Sequence, residues 1–273
     1  MPPAMYFRIR FLPLLPAFAT LLFAQGIPPP PPVDLYLLMG QSNMVGRDTA
    51  GLGEQTPDLR ILSWTTIGSS PWRAAREPLN ADGSGMGPGI PFAAALLAAS
   101  GVSADTVIGL VQTAVGGTPL RRWVKGGDLY EKAVFQARAA LRAAQAVNPA
   151  ARLRGVLWHQ GESDCENKND ADTYEARLVK MFTDLRADLA DLTGATAMPL
   201  PVVIGQLGDF VSFAHTETVR AALRNMPARL PAVAFVDAAG LPDKGDRLHF
   251  TAAAQQELGR RYAAAMRKLE ATP

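Results

Sequence analysis

The chain has 273 residues, 48% of them hydrophobic and 19% charged, enough apolar material for one sizeable core. Its 24 glycines and 22 prolines are too few for a low-complexity chain, and its one cysteine, Cys165, excludes an internal disulfide framework and any multi-cysteine zinc or iron–sulfur centre. A formal net charge of +2, with no basic stripe, does not describe a nucleic-acid binder.

Residues 1–26 contain no acid and carry Arg8 and Arg10 ahead of an apolar run, Phe11 to Phe23, that ends in Ala24-Gln25-Gly26. A positive start, a short apolar stretch and a small-x-small end describe a secretory signal peptide. The run is short for a transmembrane helix, and Pro13 and Pro16 disfavour a retained anchor. The expected location is therefore secreted or periplasmic, without stable membrane association once the signal is removed. Loss of residues 1–26 leaves 25 basic and 25 acidic residues, so the mature chain is neutral. Residues 27–32, with Pro28 to Pro32, read as a stiff proline-rich spacer, and 33–273 as one folded domain.

From Val33 onward short apolar runs alternate with amphipathic stretches. Strands are predicted at Val33–Met39, Leu59–Trp64, Thr106–Gln112, Leu153–Trp158, Val202–Leu207 and Val233–Asp237, with little polar alternation, as befits strands buried on both faces. Helices are predicted at Asp128–Val147, Asp172–Leu192 and Thr251–Leu269, the last with Thr251 as N-cap. Gly83 to Gly89 reads as a long surface loop. The alternation predicts an α/β fold, a mostly parallel sheet with helices on both faces, with the active site outside the carboxyl ends of its strands.

Four strand exits or loops carry chemistry. Gly40-Gln41-Ser42-Asn43-Met44 follows the first strand, where a serine at a helix start either caps the helix or presents its hydroxyl beside N–H groups that favour an oxyanion. Met44 stands where a Gly-x-Ser-x-Gly elbow would have its second glycine, which disfavours the common α/β-hydrolase. Gly116-Gly117 follows the third strand, either as a tight turn or as backbone brought close to a ligand. Trp158-His159-Gln160-Gly161-Glu162-Ser163-Asp164 is the most polar strand exit in the chain, costly unless it forms a site or an internal network. Asp246-Arg247-Leu248-His249 places a carboxylate where it can orient an imidazole through Nδ1, leaving Nε2 as a base. Of the other two histidines, His215 reads as a solvated residue at a helix start.

These blocks, with Thr118 after the glycine pair and Phe250-Thr251 after His249, resemble four ordered blocks of the SGNH hydrolase superfamily. They are most similar to its sialate O-acetylesterase and family 6 carbohydrate acetylesterase (acetylxylan esterase) branch. The resemblance spans residues 40 to 251. It implies a three-layer α/β/α sandwich of flavodoxin-like type, Ser42 as nucleophile and His249 as base. It implies an oxyanion hole from the Ser42 N–H, the N–H of Gly116 or Gly117, and a side-chain amide, with Gln160 in place of the asparagine used in the wider superfamily. Asp246 is then the partner of His249, and Glu162 supports or replaces it.

The expected activity is removal of O-acetyl groups from an acetylated carbohydrate by a serine esterase without metal or cofactor. A metal-dependent hydrolase using His159, Glu162, Asp164, Asp246 and His249 is a second reading, separable by chelator sensitivity. A non-catalytic carbohydrate-binding protein, with Trp64, Trp72 and Trp123 stacking on sugars, is a third. The N-terminal reading predicts that exported protein begins at Gln25 or Ile27, as N-terminal sequencing would determine. An intact Met1 on membrane-bound protein would instead mean an anchor.

Overall fold

The computed structural model of the chain describes residues 33–53, 55–66, 71–80, 85–193 and 198–271. The signal peptide and spacer expected at 1–32 lie outside them. Seven strands, β1 (Val33–Gly40), β2 (Ile61–Trp64), β3 (Trp72–Ala74), β4 (Val107–Gln112), β5 (Arg152–His159), β6 (Val202–Gly205) and β7 (Val233–Val236), form one sheet in the order β3-β2-β4-β1-β5-β6-β7. Neighbours are parallel throughout except β2 and β3. All six predicted strands are present. The short edge strand β3, which carries no apolar run of its own, was not expected.

The described helices are α1 (Ser42–Val45), α2 (Gly89–Leu97), α3 (Asp128–Gln145), α4 (Lys168–Asp172), α5 (Tyr174–Asp188), α6 (Thr216–Arg229) and α7 (Ala252–Ala271). The pleat of β1 sends Leu35, Leu37 and Met39 to one face, where they pack with Ala133 and Leu141 of α3, Leu178 and Phe182 of α5, and Leu223 of α6. Tyr36 and Leu38 point to the other face and meet Phe92 of α2 and Leu258 and Tyr262 of α7. Each fully buried side chain of this size contributes about 1.5–3 kcal/mol, and burial on both faces explains why β1 carries almost no polar residue. The result is the expected three-layer α/β/α sandwich.

Three sequence expectations change. The helix predicted over Asp172–Leu192 is α5 alone, preceded by α4 and followed by a 3-10 turn, Ala190–Leu192. Gly85, Gly87, Pro88 and Gly89, expected in a surface loop, are buried. The Gly85 and Met86 N–H groups donate to the carbonyls of Gly46 and Asp48 at 2.9 and 2.8 Å, so this stretch packs beneath the residues that follow α1. Two helices, α2 and α6, were not expected, although Val219, Ala222, Leu223 and Met226 of α6 recur at helical spacing. α2 is apolar nearly all round, and α6 contains Pro227. Thr251 does cap α7, its Oγ1 accepting the Ala254 N–H at 3.1 Å. Among the described residues no helix is long and apolar enough to cross a membrane.

The chain leaves β1, forms β2, β3 and β4 on one side, and returns to form β5 on the other. The carboxyl ends of β4, β1 and β5 therefore diverge around a common crevice. Gly40 lies opposite His159 and has φ +129°, and a Cβ there would stand 2.1 Å from the His159 carbonyl oxygen. Only glycine fits. Gly40→Ala is expected to cost ~3 kcal/mol or more in chemical unfolding, from a backbone clash added to a strained φ.

Candidate active site

Beyond Gly40 the chain turns at once into α1. The Gln41 N–H donates to the His159 carbonyl at 2.9 Å, and the Met44 and Val45 N–H groups close the first turn on the Gln41 carbonyl. Ser42 is the first helical residue, so its own N–H has no intrahelical acceptor. The Ser42 hydroxyl lies 2.9 Å from His249 Nε2, and His249 Nδ1 lies 2.7 Å from Asp246 Oδ2. The Asp246 Oδ1 accepts the N–H groups of Leu248 and His249 at 3.0 and 2.8 Å, and Lys244 Nζ stands 3.1 Å from Oδ2. Partial burial pushes the Asp246 carboxyl up, but the His249 ring, these two N–H groups and Lys244 together outweigh it and hold it well below the ordinary carboxylate range. An ionised Asp246 holds the Nδ1 proton on His249 and leaves Nε2 facing the Ser42 hydroxyl.

The hydroxyl and imidazole open into a cavity of about 720 Å³, whose lining includes Gln41, Arg47, Gly117, Arg121, Glu166 and Phe213. Gly117 faces it with φ +68° and open space where a Cβ would stand, whereas Gly116 is covered by the Arg47 guanidinium. The N–H of Gly117 donates to no acceptor among the described residues.

Gln160 does not take the place expected of it. It is fully buried, and its Nε2 donates to Gln41 Oε1, the Thr118 carbonyl and Asp164 Oδ2 at 3.1, 3.1 and 2.7 Å, three acceptors for two hydrogens. Its Oε1 accepts from the Tyr174 hydroxyl at 2.8 Å. No proton is left for an oxyanion. Gln41 is oriented by the same network: its Oε1 accepts the Gln160 amide and the Ser163 N–H at 3.1 and 3.3 Å, and a backbone N–H needs an acceptor, so Nε2 is turned away from them. Gln41 lines the cavity beside Ser42, and its Nε2 donates to no partner among the described residues. The strand-exit position of Gln41 was legible; that its amide, and not that of Gln160, faces the cavity was not.

The other candidates separate. Asp164 is buried under the Leu120 N–H, at 2.9 Å, and Arg177, at 3.3 Å, as a structural carboxylate. His159 is fully buried with Nδ1 2.7 Å from the Tyr262 hydroxyl, and burial pushes its pKa down to about 3. Glu162 is turned to Asn43, whose Nδ2 donates to Oε1 at 2.6 Å, and it makes no hydrogen bond with His249. The carboxylate hydrogen-bonded to the His249 imidazole is Asp246. Among the described residues no three His, Cys, Asp or Glu side chains are grouped to hold a metal ion; the five ligands of the metal reading come together only in pairs, such as His159 with Glu162 at 4.0 Å and Asp246 with His249 at 2.7 Å. Trp123 is fully buried in the core, while Trp64 and Trp72 pack edge to face at 5.4 Å on the β2–β3 edge, and none of the three lines the cavity. Cys165 is buried with its thiol on the Gly161 carbonyl at 3.2 Å, and burial pushes its pKa up to about 12, so it is packed, not reactive. His215, half-buried, precedes α6 as expected.

Burial pushes the Glu162 carboxyl from 4.5 up to about 7. Between those values the folded chain holds a proton that the unfolded chain has released, so this group makes stability fall as pH rises across the window. Glu162→Gln removes that loss. Its melting temperature relative to the parent is expected to rise between about pH 5 and 8 in thermal scans.

Comparison with known proteins agrees with this architecture. The family model for carbohydrate esterases described as sialic acid-specific acetylesterase matches residues 32–268. A probable carbohydrate esterase of Arabidopsis thaliana is 34% identical over 252 residues, covering 85% of this chain and 89% of that protein. The 1.6 Å crystal structure of the Arabidopsis protein superposes with a TM-score of 0.73 over 88% of this chain and 99% of that one, at 30% identity. The structure of NanS shares the fold at 18% identity, with a TM-score of 0.68 over 89% of this chain and 99% of that one. By the extent of these matches, the chain belongs to the sialic acid-specific acetylesterase family of carbohydrate esterases and is a carboxylic ester hydrolase.

Proposed function

We propose that the protein is an exported serine esterase that removes O-acetyl groups from carbohydrates through Ser42, His249 and Asp246. The observation that carries this reading is the unbroken hydrogen-bonded series from the Ser42 hydroxyl through the His249 ring to Asp246, at 2.9 and 2.7 Å, at the mouth of a polar cavity. His249 Nε2 takes the serine proton as Oγ attacks the ester carbonyl. The charge that develops on the carbonyl oxygen meets the N–H groups of Ser42 and Gly117 and the amide of Gln41. His249 then returns the proton to the departing sugar hydroxyl, and water, activated by the same imidazole, releases acetate from Ser42.

The acetyl group and sugar are supported by the family to which the chain belongs and by the cavity's lining. Arg47, Arg121, Asn167 and Asp170 offer donors and acceptors to hydroxyl groups, with Phe213 an apolar surface for a ring face. Export rests on Arg8, Arg10 and the apolar run that follows them. The test is acetate release across a panel of acetylated xylan, sialic acid and monosaccharide esters, with and without a chelator.

Within that assay Ser42→Ala and His249→Ala are each expected to lower kcat at least ~10³-fold in a folded protein. Asp246→Asn should lower it by ~10² or more, because an amide does not hold the Nδ1 proton as a carboxylate does. Gln41→Ala is expected to cost on the order of 10²–10³ in kcat with KM little changed, as for one oxyanion donor. Gln160→Ala is expected to act chiefly on melting temperature, since it strands buried partners. Near-parental acetate release by folded Ser42→Ala overturns the reading.

A further inference from the structure

Asn43 and Glu162 take no part in the reaction as proposed, yet both are buried next to it. The Asn43 amide is completely used. Its Nδ2 donates to the Leu248 carbonyl at 3.0 Å and to Glu162 Oε1 at 2.6 Å, and its Oδ1 accepts the Phe250 N–H at 3.1 Å. Leu248 and Phe250 are the two neighbours of His249. One side chain, rooted in the helix that begins with Ser42, therefore grips the base loop on both sides of the imidazole. Backbone chemistry fixes which way the amide faces, because the Phe250 N–H requires an acceptor and the Leu248 carbonyl a donor. The Asn43 carbonyl is itself held by Gln255 Nε2 of α7 at 2.9 Å.

The base loop needs such a hold. Arg247 has φ +57°, a conformation costly for a residue with a side chain, and this loop has little apolar burial of its own before Phe250. Asp243 and Asp246 tie it only to itself, through the N–H groups of Gly245, Arg247, Leu248 and His249. Besides the Ser42–His249 bond itself, the Asn43 amide is what joins it to the nucleophile's own helix. Glu162 completes the clamp: its Oε1 takes the second Nδ2 hydrogen, which pins the amide plane against rotation.

We infer that Asn43, oriented by Glu162, is the positioning residue that sets His249 against Ser42. The inference rests on the serine-esterase reading. Glu162 acts on the base at one remove, through Asn43, and not as a partner of the imidazole.

The test is steady-state hydrolysis of a small acetyl ester by the full mature chain, with melting temperature recorded for every variant. Asn43→Ala is expected to lower kcat ~100-fold with KM moving less than ~3-fold, the signature of a misplaced base, not of lost binding. Glu162→Ala should lower kcat at least ~10-fold, and Glu162→Gln, whose amide oxygen still accepts from Asn43, should recover most of that loss. The double variant Asn43→Ala, Glu162→Ala should fall within ~3-fold of Asn43→Ala alone, since Glu162 has no route to His249 once the amide is gone. A folded Asn43→Ala variant losing less than ~10-fold overturns the inference, and so does a double variant whose losses multiply. If Asn43→Ala does not fold, the Glu162 pair decides: equal kcat in Glu162→Ala and Glu162→Gln overturns it. Ser42→Ala runs alongside. Retained activity there defeats the serine reading itself, whereas lost activity there with an unaffected Asn43→Ala defeats only the clamp.

Discussion

The active edge of this enzyme depends on one backbone contact, the bond from the Gln41 N–H to the His159 carbonyl as β1 and β5 end side by side. It exists because Gly40 brings its backbone against His159 where no side chain fits. From that contact two segments leave the sheet together. One carries Gln41, Ser42 and Asn43 into α1; the other carries Gln160, Glu162 and Ser163 over the same crevice. The Gln41 side chain then joins them a second time, through the Gln160 amide and the Ser163 N–H. Ser42, Asn43 and Glu162 are thereby set within a few residues of the ends of the central strand pair.

The polar block after β5 divides its labour by burial. His159, Gln160 and Asp164 turn inward, where an unpartnered polar group would cost about 1–3 kcal/mol, and they are met by Tyr262, Tyr174, Thr118, Leu120 and Arg177. These bonds fix the floor of the cavity without entering it. Glu162 is buried as well and is bonded to Asn43, whose amide spans the helix of Ser42 and the loop of His249. The loop that carries Asp246 and His249 differs in kind. Its Asp246 is a third exposed and is held ionised by hydrogen bonds, not by shielding from water. A rigid floor and a loop joined to α1 through the Asn43 amide and the Ser42 hydroxyl together bring Ser42, His249 and Asp246 into line.

Much of this was legible from residues alone. The six parallel strands announced themselves as short apolar runs because both faces of the sheet are covered, α3 and α5 by the three- and four-residue spacing of their apolar residues, and α7 by Thr251 at its start. β3 escaped because an edge strand of three residues, Trp72 to Ala74, is specified by its pairing with β2 and not by a pattern of its own. α2 escaped because it is apolar nearly all round, with Ala94 and Ala95 on its more exposed side, which erases the polar face that periodicity detects. Gly85 to Gly89 resembled a surface loop by composition, since glycine serves equally where a chain is exposed and where two backbones pack closely.

By itself the sequence determined the layered α/β architecture, the exits that carry polar groups, and the serine, histidine and aspartate as residue types in those exits. Local pattern suffices there, because burial and turn chemistry act over a few residues. Only the tertiary structure decided which amide faces the cavity, which carboxylate meets the imidazole, and what holds the base loop. Those outcomes depend on partners 119 residues apart, as Asn43 and Glu162 are, or 205, as Asn43 and Leu248 are. A side-chain amide is donor and acceptor at once, so its role stays undefined until folding brings a backbone N–H or carbonyl against one end of it.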